Sequence, residues 1–480
     1  MSRLRRLSEW AAGLAHEDIP GRVRELAASQ ILSQLAAIRA GAAHPLGAKL
    51  VDAFGSPTQD DRAAAAAVLA GLGSWLNLDD TAYAGHLSNS TVAVPVAFSR
   101  DGDGAALVTA VVTANECAAR LTAAATLGPL RGQSALHTHL AGTVAGRLKC
   151  EGADADVWTD AFALAFAMPN WPLMRAFLAS DARLLCTLTP VRAANDACAA
   201  ARAGLRGADD IIEHPDGFLA RFATVPLPDL VDHRLGERWH TETLSFKLHP
   251  GGPGIDAAID VAAELGPFLA EEIADVLVEA SAYTLLADKT SRRYIAGADS
   301  ALGALVLNVA YPVATALLTG HFLAADLERP ASADPARWAV AERVRLAHDP
   351  AMTRALFASD APFGEALRHA GTAGEPWLRS FGGDELVALA AGAEPTGDFA
   401  QAIKATPARV TVRLTDGRTV SAERAIPLGA AGPDTRERHA WLIREKFISV
   451  GGSAEVAGAA VKLDSMSVAE LREWLATALF

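Results

Sequence analysis

Helix-period hydrophobic patterning runs almost unbroken from residue 7 to about residue 203, and it restricts the chain to a fold built mainly by packing helices on helices. Asp18-Ile19-Pro20 opens one helix. Pro20 sits near the first turn, where its missing N–H costs nothing, and Val23, Leu26, Ala27, Ile31 and Leu35 share one face. An alanine-rich stretch over residues 62–72 predicts a second helix. Residues 107–127, with Glu116 four positions before Arg120, predict a third. Residues 138–148 and 159–167 continue the series. Alanine dominates a hydrophobic fraction of 51% while aromatics supply only 6%, so close helix–helix approach is expected rather than a large β structure.

The pattern changes near Glu242. Phe246-Lys247-Leu248-His249-Pro250-Gly251-Gly252-Pro253-Gly254 carries too much proline and glycine to be helical. A helix is expected over residues 255–265, and the alternation of residues 273–280 predicts a strand. The clearest β signal is Val410-Thr411-Val412-Arg413-Leu414 and Arg418-Thr419-Val420-Ser421-Ala422 around Thr415-Asp416-Gly417, a hairpin. After Gly432-Pro433 the chain returns to helix. The apolar run 301–318 nearly reaches membrane length, but Asn308, Tyr311 and Pro312 make it a buried core helix instead. At 480 residues, two domains are expected: a large helical one and a smaller mixed one over about 245–428. The last helices either pack back on the first domain or form a tail.

A formal charge of −13 argues against a nucleic-acid partner and leaves room for a local basic pocket. Cys117, Cys150, Cys186 and Cys198 form no CxxC pair and read as reduced thiols of a cytoplasmic protein. The basic start, Met1 to Arg6, is soon followed by Glu9, His16, Glu17 and Asp18, with no apolar core of a signal peptide. Neither a phosphate-binding glycine loop nor a GxSxG or HExxH motif occurs, so nucleotide cofactors and serine hydrolysis have no support.

Chemistry concentrates in Leu76-Asn77-Leu78-Asp79-Asp80-Thr81-Ala82-Tyr83-Ala84-Gly85-His86-Leu87-Ser88. Lying between apolar segments, its acids, hydroxyls and histidine are expected near the interior, where ionisable groups become candidates for proton chemistry. His137 and His139 form an H-x-H; a strand would turn both to one side, but the small apolar residues around them favour helix, where they diverge and no metal pair forms.

In order along the chain, several pieces resemble the MmgE/PrpD family, which includes 2-methylcitrate dehydratases, cis-aconitate decarboxylases and iminodisuccinate epimerases. Asp79-Asp80-Thr81 with His86-Leu87-Ser88 resembles its "DDT…HPS" segment, and Ala114-Asn115-Glu116-Cys117 with Arg120 its "GYE…R" helix. His137 before Gly142-Thr143, and the stretch from Gly204-Leu205 through Ile211-Ile212-Glu213 to Gly217-Phe218, match further landmarks. Lys247 to Pro250 is similar to a "K-x-x-P" loop, Leu307 to Tyr311 with Gly320 to a "FS-x-x-Y" helix, and Val412 to Arg418 with Lys446-Phe447 to the closing motifs.

The resemblance implies a helical domain from residues 1–245 and 429–480, an α+β lid over 246–428, a homodimer, and a cofactor-free, metal-free active site in the cleft. It also implies chemistry on a carbon next to a carboxylate, which needs a base near neutral pKa, cations or donors for the carboxylates, and an acid. His86 and His137 are then the proton carriers, with His139 as the substitute for His137. Tyr311 is an acid or hydroxyl donor, and Thr81, Asn77, Arg183 and Lys247 are ligands of substrate. Asp79 and Asp80 orient His86, act as bases, or simply cap a helix. The chain departs from the family pattern at Leu69-Ala70, Ser74, Asn77 and Leu87, and Arg183 stands where the family has a catalytic lysine. The leading expectation is a dehydratase-type lyase acting on a small carboxylated metabolite. The alternatives are an epimerase or isomerase, a decarboxylase, a biosynthetic enzyme with a larger and less polar substrate, or a non-catalytic ligand-binding homologue.

Overall fold

The structure is a computed structural model that describes residues 1–128, 134–169, 173–252, 254–390 and 395–479; Pro253 of the proline-glycine loop lies outside them. Its helices lie where the sequence pattern places them, although those expected from residues 107, 138 and 159 start at Gly104, Ser134 and Ala155. Gly21–Ala43 follows Pro20, and Val23, Leu26, Ala27, Ile31 and Leu35 are all buried. Arg62–Ser74 is capped by Asp61, whose carboxylate accepts from the Ala63 and Ala64 N–H groups at 3.0 and 3.1 Å. Gly104–Ala125, Ser134–Cys150, Ala155–Phe166 and Leu185–Arg202 complete the main helical layer. Small residues bring these helices close. A Cβ on Gly41 would lie 1.8 Å from the Leu72 carbonyl oxygen, so only glycine lets Gly21–Ala43 reach Arg62–Ser74 at that point.

Downstream stands a four-stranded mixed sheet with strands β3 (Ile273–Ala280), β4 (Val344–His348), β5 (Ala408–Leu414) and β6 (Thr419–Arg424), ordered β4-β3-β5-β6. β3 and β4 run parallel; β3–β5 and β5–β6 are antiparallel. The β5–β6 hairpin turns at residues 415–418 with Gly417 at φ 90°, the left-handed conformation such a turn demands. β1 (Thr81–Ala82) and β2 (Gly85–His86) form a separate two-residue ladder inside the helical part.

The run 301–318 is not one helix. It divides into Leu302–Leu305 and Ala310–Thr319, because buried Asp288 draws the chain out between them. Its Oδ1 accepts from Asn308 Nδ2 at 3.0 Å and from the Val309 N–H at 3.1 Å, and Asn308 Oδ1 then accepts the Tyr311 N–H. No described helix is long and apolar enough to cross a membrane. The Pro433–Ser449 helix returns to pack on Gly21–Ala43, joining the C-terminal segment to the helical part. The buried apolar side chains of the helices and of the sheet form one continuous cluster.

Candidate active site

Residues 76–88 are drawn inside the protein; only Ala84 and His86 retain partial exposure. The Arg62–Ser74 helix ends at Trp75, and Asn77 adopts a left-handed φ of 56° that reverses the chain, its N–H closing on the Ser74 carbonyl at 3.1 Å. No helix follows the two acids; β1 does, so neither Asp79 nor Asp80 is a helix cap. Thr81 pairs with Ser245 on one side and lies opposite His86 on the other. Its N–H and C=O are both used by Ser245, at 3.0 and 2.9 Å. Its pairing with His86 is therefore of the non-hydrogen-bonded kind, in which facing side chains approach closest. Gly85 is required here, since a Cβ would stand 2.7 Å from Thr122 Cγ2 and 2.8 Å from Thr138 Oγ1.

The two neighbouring acids have different partners. Asp80 Oδ1 accepts from Ser33 Oγ at 2.7 Å and Oδ2 from Ser88 Oγ at 3.0 Å, and Lys446 Nζ lies 3.6 Å away. Lys446 also donates to Ser33 Oγ and to the Leu78 carbonyl, both at 2.7 Å, so this group fastens the loop to two helices. Asp79 Oδ2 instead meets His86 Nδ1 at 2.8 Å, while Asp79 Oδ1 has no hydrogen-bond partner among the described residues. Burial pushes the Asp79 carboxyl up, but His86 and Lys247 outweigh it and hold it down at about 2. Burial lowers His86; Asp79 pulls it back up, and Lys247 and Arg183 push it down again. The imidazole is thus neutral beside an ionised carboxylate. Nδ1–H donates to Asp79, and Nε2, with no hydrogen bond among the described residues, carries the lone pair.

Buried cations surround this pair. Lys247 Nζ donates to the Asn77 carbonyl at 3.2 Å, and burial lowers its pKa against the pull of Asp79 and Asp256. Arg183 Nε donates to the Trp75 carbonyl at 2.9 Å, and its Nη2 donates to Asn77 Oδ1. Its Nη1 has no partner among the described residues, and burial brings its pKa down to about 10. Asn77 Nδ2 reaches the Gly251 carbonyl at 3.3 Å, so Asn77 links Arg183 to the proline-glycine loop. His139 is held between Ser90 Oγ (3.4 Å) and Thr187 Oγ1 (3.3 Å), and burial together with His86 lowers it to about 3.

The structure therefore gathers His86, Asp79, Asn77, Thr81, Arg183 and Lys247, with His139 close enough to feel both Asp79 and His86. His137, on the same Ser134–Cys150 helix, is turned elsewhere, its ring 4.8 Å from Phe222 and 5.8 Å from Phe218. Tyr311 is also set apart. Its hydroxyl donates to the Asp326 carbonyl at 2.6 Å, and its ring stacks on Trp338 at 4.8 Å. Two members have no counterpart in the sequence reading. Lys404 Nζ donates to Thr81 Oγ1 at 3.0 Å. Asp256, whose Oδ1 is buried without a partner among the described residues, is raised by burial to about 6 against Lys247, His249 and Lys404. Among the described residues no group of three or more His, Cys, Asp or Glu side chains is arranged to hold a metal ion.

No protein-family model and no curated protein matches the chain.

Proposed function

We propose that this protein is a cofactor-independent lyase of the dehydratase type, which removes a proton from a carbon next to a carboxylate of a small polycarboxylated metabolite. The observation that carries the reading is the Asp79–His86 pair, a buried carboxylate holding a neutral imidazole at 2.8 Å with Nε2 as the available base. Asp79 selects that tautomer and stabilises the imidazolium formed when Nε2 accepts the proton. Arg183 and Lys247 supply the positive charge that an enediolate-like intermediate requires, in a site where little water competes. The density of buried charge around His86 favours a compact polyanion over a larger, less polar substrate. The motif order that resembles the MmgE/PrpD family supports the same reaction class, and with it a cytoplasmic homodimer.

The test is hydrogen exchange. Protein incubated in D2O with citrate, 2-methylcitrate or malate is expected to deuterate the carbon next to a carboxylate, followed by proton NMR. His86→Ala is expected to slow that exchange by at least about 100-fold, the usual contribution of a positioned base. Tight binding of these acids without exchange or turnover refutes the lyase and points to a ligand-binding protein.

A further inference from the structure

Only seven of the chain's 43 basic side chains are lysines, so arginine is its default cation. Three of the seven, Lys247, Lys404 and Lys446, are nevertheless buried in one cluster, none more than 5% exposed. Arginine keeps its proton throughout the accessible pH range, whereas a desolvated lysine releases it. Lys446 is explained by the three oxygen partners that fasten the loop, and Lys247 by the Asn77 carbonyl and the field of Asp79. Lys404 is different. Among the described residues its ammonium makes a single hydrogen bond, to Thr81 Oγ1, and no ion pair.

That one partner determines where the amine lies. Thr81 and His86 are direct cross-strand neighbours, so their side chains project from the same face of the β1–β2 ladder. The Lys404 amine, bonded to the Thr81 hydroxyl, is thereby brought to the face from which His86 projects. We propose that Lys404 is the second proton-transfer group of this site, working opposite His86 with Thr81 holding its amine. The inference rests on the lyase reading above. In the elimination, His86 Nε2 takes the carbon-bound proton, the C–H electron pair is held as the enediolate, and it then forms the new C=C bond as the C–O bond breaks. Lys404 gives its proton to the departing hydroxide, which leaves as water. An imidazolium and an amine remain, and solvent resets both. Burial lowers the Lys404 ammonium to about 7, with Asp256 opposing and Lys247 assisting; these are the charged groups that act on it.

Protein labelled with carbon-13 and nitrogen-15 lysine offers seven side-chain Cε signals, and Lys404→Arg identifies one of them by its loss. That signal is expected to titrate near pH 7, about three and a half units below an ordinary lysine. Lys404→Arg is expected to slow product formation at least about 100-fold and to erase the pH limb near neutrality; Lys404→Met, close to the native volume, repeats the test if arginine does not fit. A Lys404 signal that titrates with the ordinary lysines, in a protein that still exchanges carbon-bound hydrogen with D2O in citrate, 2-methylcitrate or malate, overturns this assignment alone. Absence of that exchange in the parent protein overturns the lyase reading, and the catalytic role of Lys404 with it.

Discussion

Replacing Asp79 by asparagine removes one charge from the centre of the site and leaves its shape nearly unchanged. At a charge separation of roughly 4 Å and an effective dielectric of about 20, the attraction between Asp79 and a protonated His86 is about 4 kcal/mol. Its loss lowers the affinity of Nε2 for a proton by as much as about 3 pK units. The tautomer changes as well. Asp79 can only accept from Nδ1, whereas an asparagine amide can donate to it and move the ring proton to Nε2, where it blocks the base. Together these predict a fall in carbon–hydrogen exchange of about 10²–10⁴-fold, the range expected for loss of general base catalysis. Stability should fall too, because Lys247 and Arg183 lose the buried anion that acts on both of them. Breaking a buried pair of this kind costs about 3–5 kcal/mol. Exchange is measured by NMR in D2O, the ring tautomer by nitrogen-15 histidine spectra, and stability by the urea midpoint. An Asp79→Asn protein that exchanges at the parent rate with His86 still protonated on Nδ1 refutes the account.

Two further outcomes follow from the same electrostatics. Burial holds His44 down at about 4, and burial with His86 holds His139 at about 3. The unfolded chain therefore binds more protons than the folded one below about pH 6.5, and stability falls as pH falls through that window, by about 1.4 kcal/mol per pH unit for each imidazole. Asp256, raised to about 6, offsets one of the two between pH 6 and its unfolded value. His249 has a raised pKa, so its contribution is complete below about pH 6.5 and is lost only on the alkaline side. The urea midpoint should drop between pH 7 and pH 5, and a midpoint that rises is incompatible with these buried neutral histidines. Asn77→Asp places a carboxylate against Arg183 Nη2, where it neutralises the cation proposed to hold substrate. A KM increase of at least about tenfold, equivalent to about 1.4 kcal/mol, is expected with a smaller change in kcat, and an unchanged KM removes Arg183 from the binding machinery.

The placing of residues 76–88 inside the protein is legible because the elements of this candidate site are local. The cluster of acids, hydroxyls and histidine lies within thirteen residues, and its position between apolar segments announced its burial. The separation of duties between Asp79 and Asp80 was not legible. It depends on Ser33, Ser88 and Lys446 reaching Asp80 from elsewhere in the chain, which leaves Asp79 to His86. Lys404 is not legible, because nothing around it in sequence marks it; the available signal is the scarcity of lysine itself. Tyr311, one of four tyrosines, interrupts an apolar run, and its hydroxyl is taken by the Asp326 carbonyl.

The amino-acid sequence alone determined the helical character of the first two hundred residues, the β5–β6 hairpin and the position of the acid–histidine segment. Each of these follows from spacing and turn chemistry within a few residues. Tertiary structure decided which charges meet. Arg183, Lys247 and Lys404 come from three distant segments, and only their common burial beside Asp79, Asp256 and Thr81 lowers the pKa of all three. The physical reason is that a pKa is set by desolvation and by neighbours in space, and neither is written in the residues adjacent along the chain.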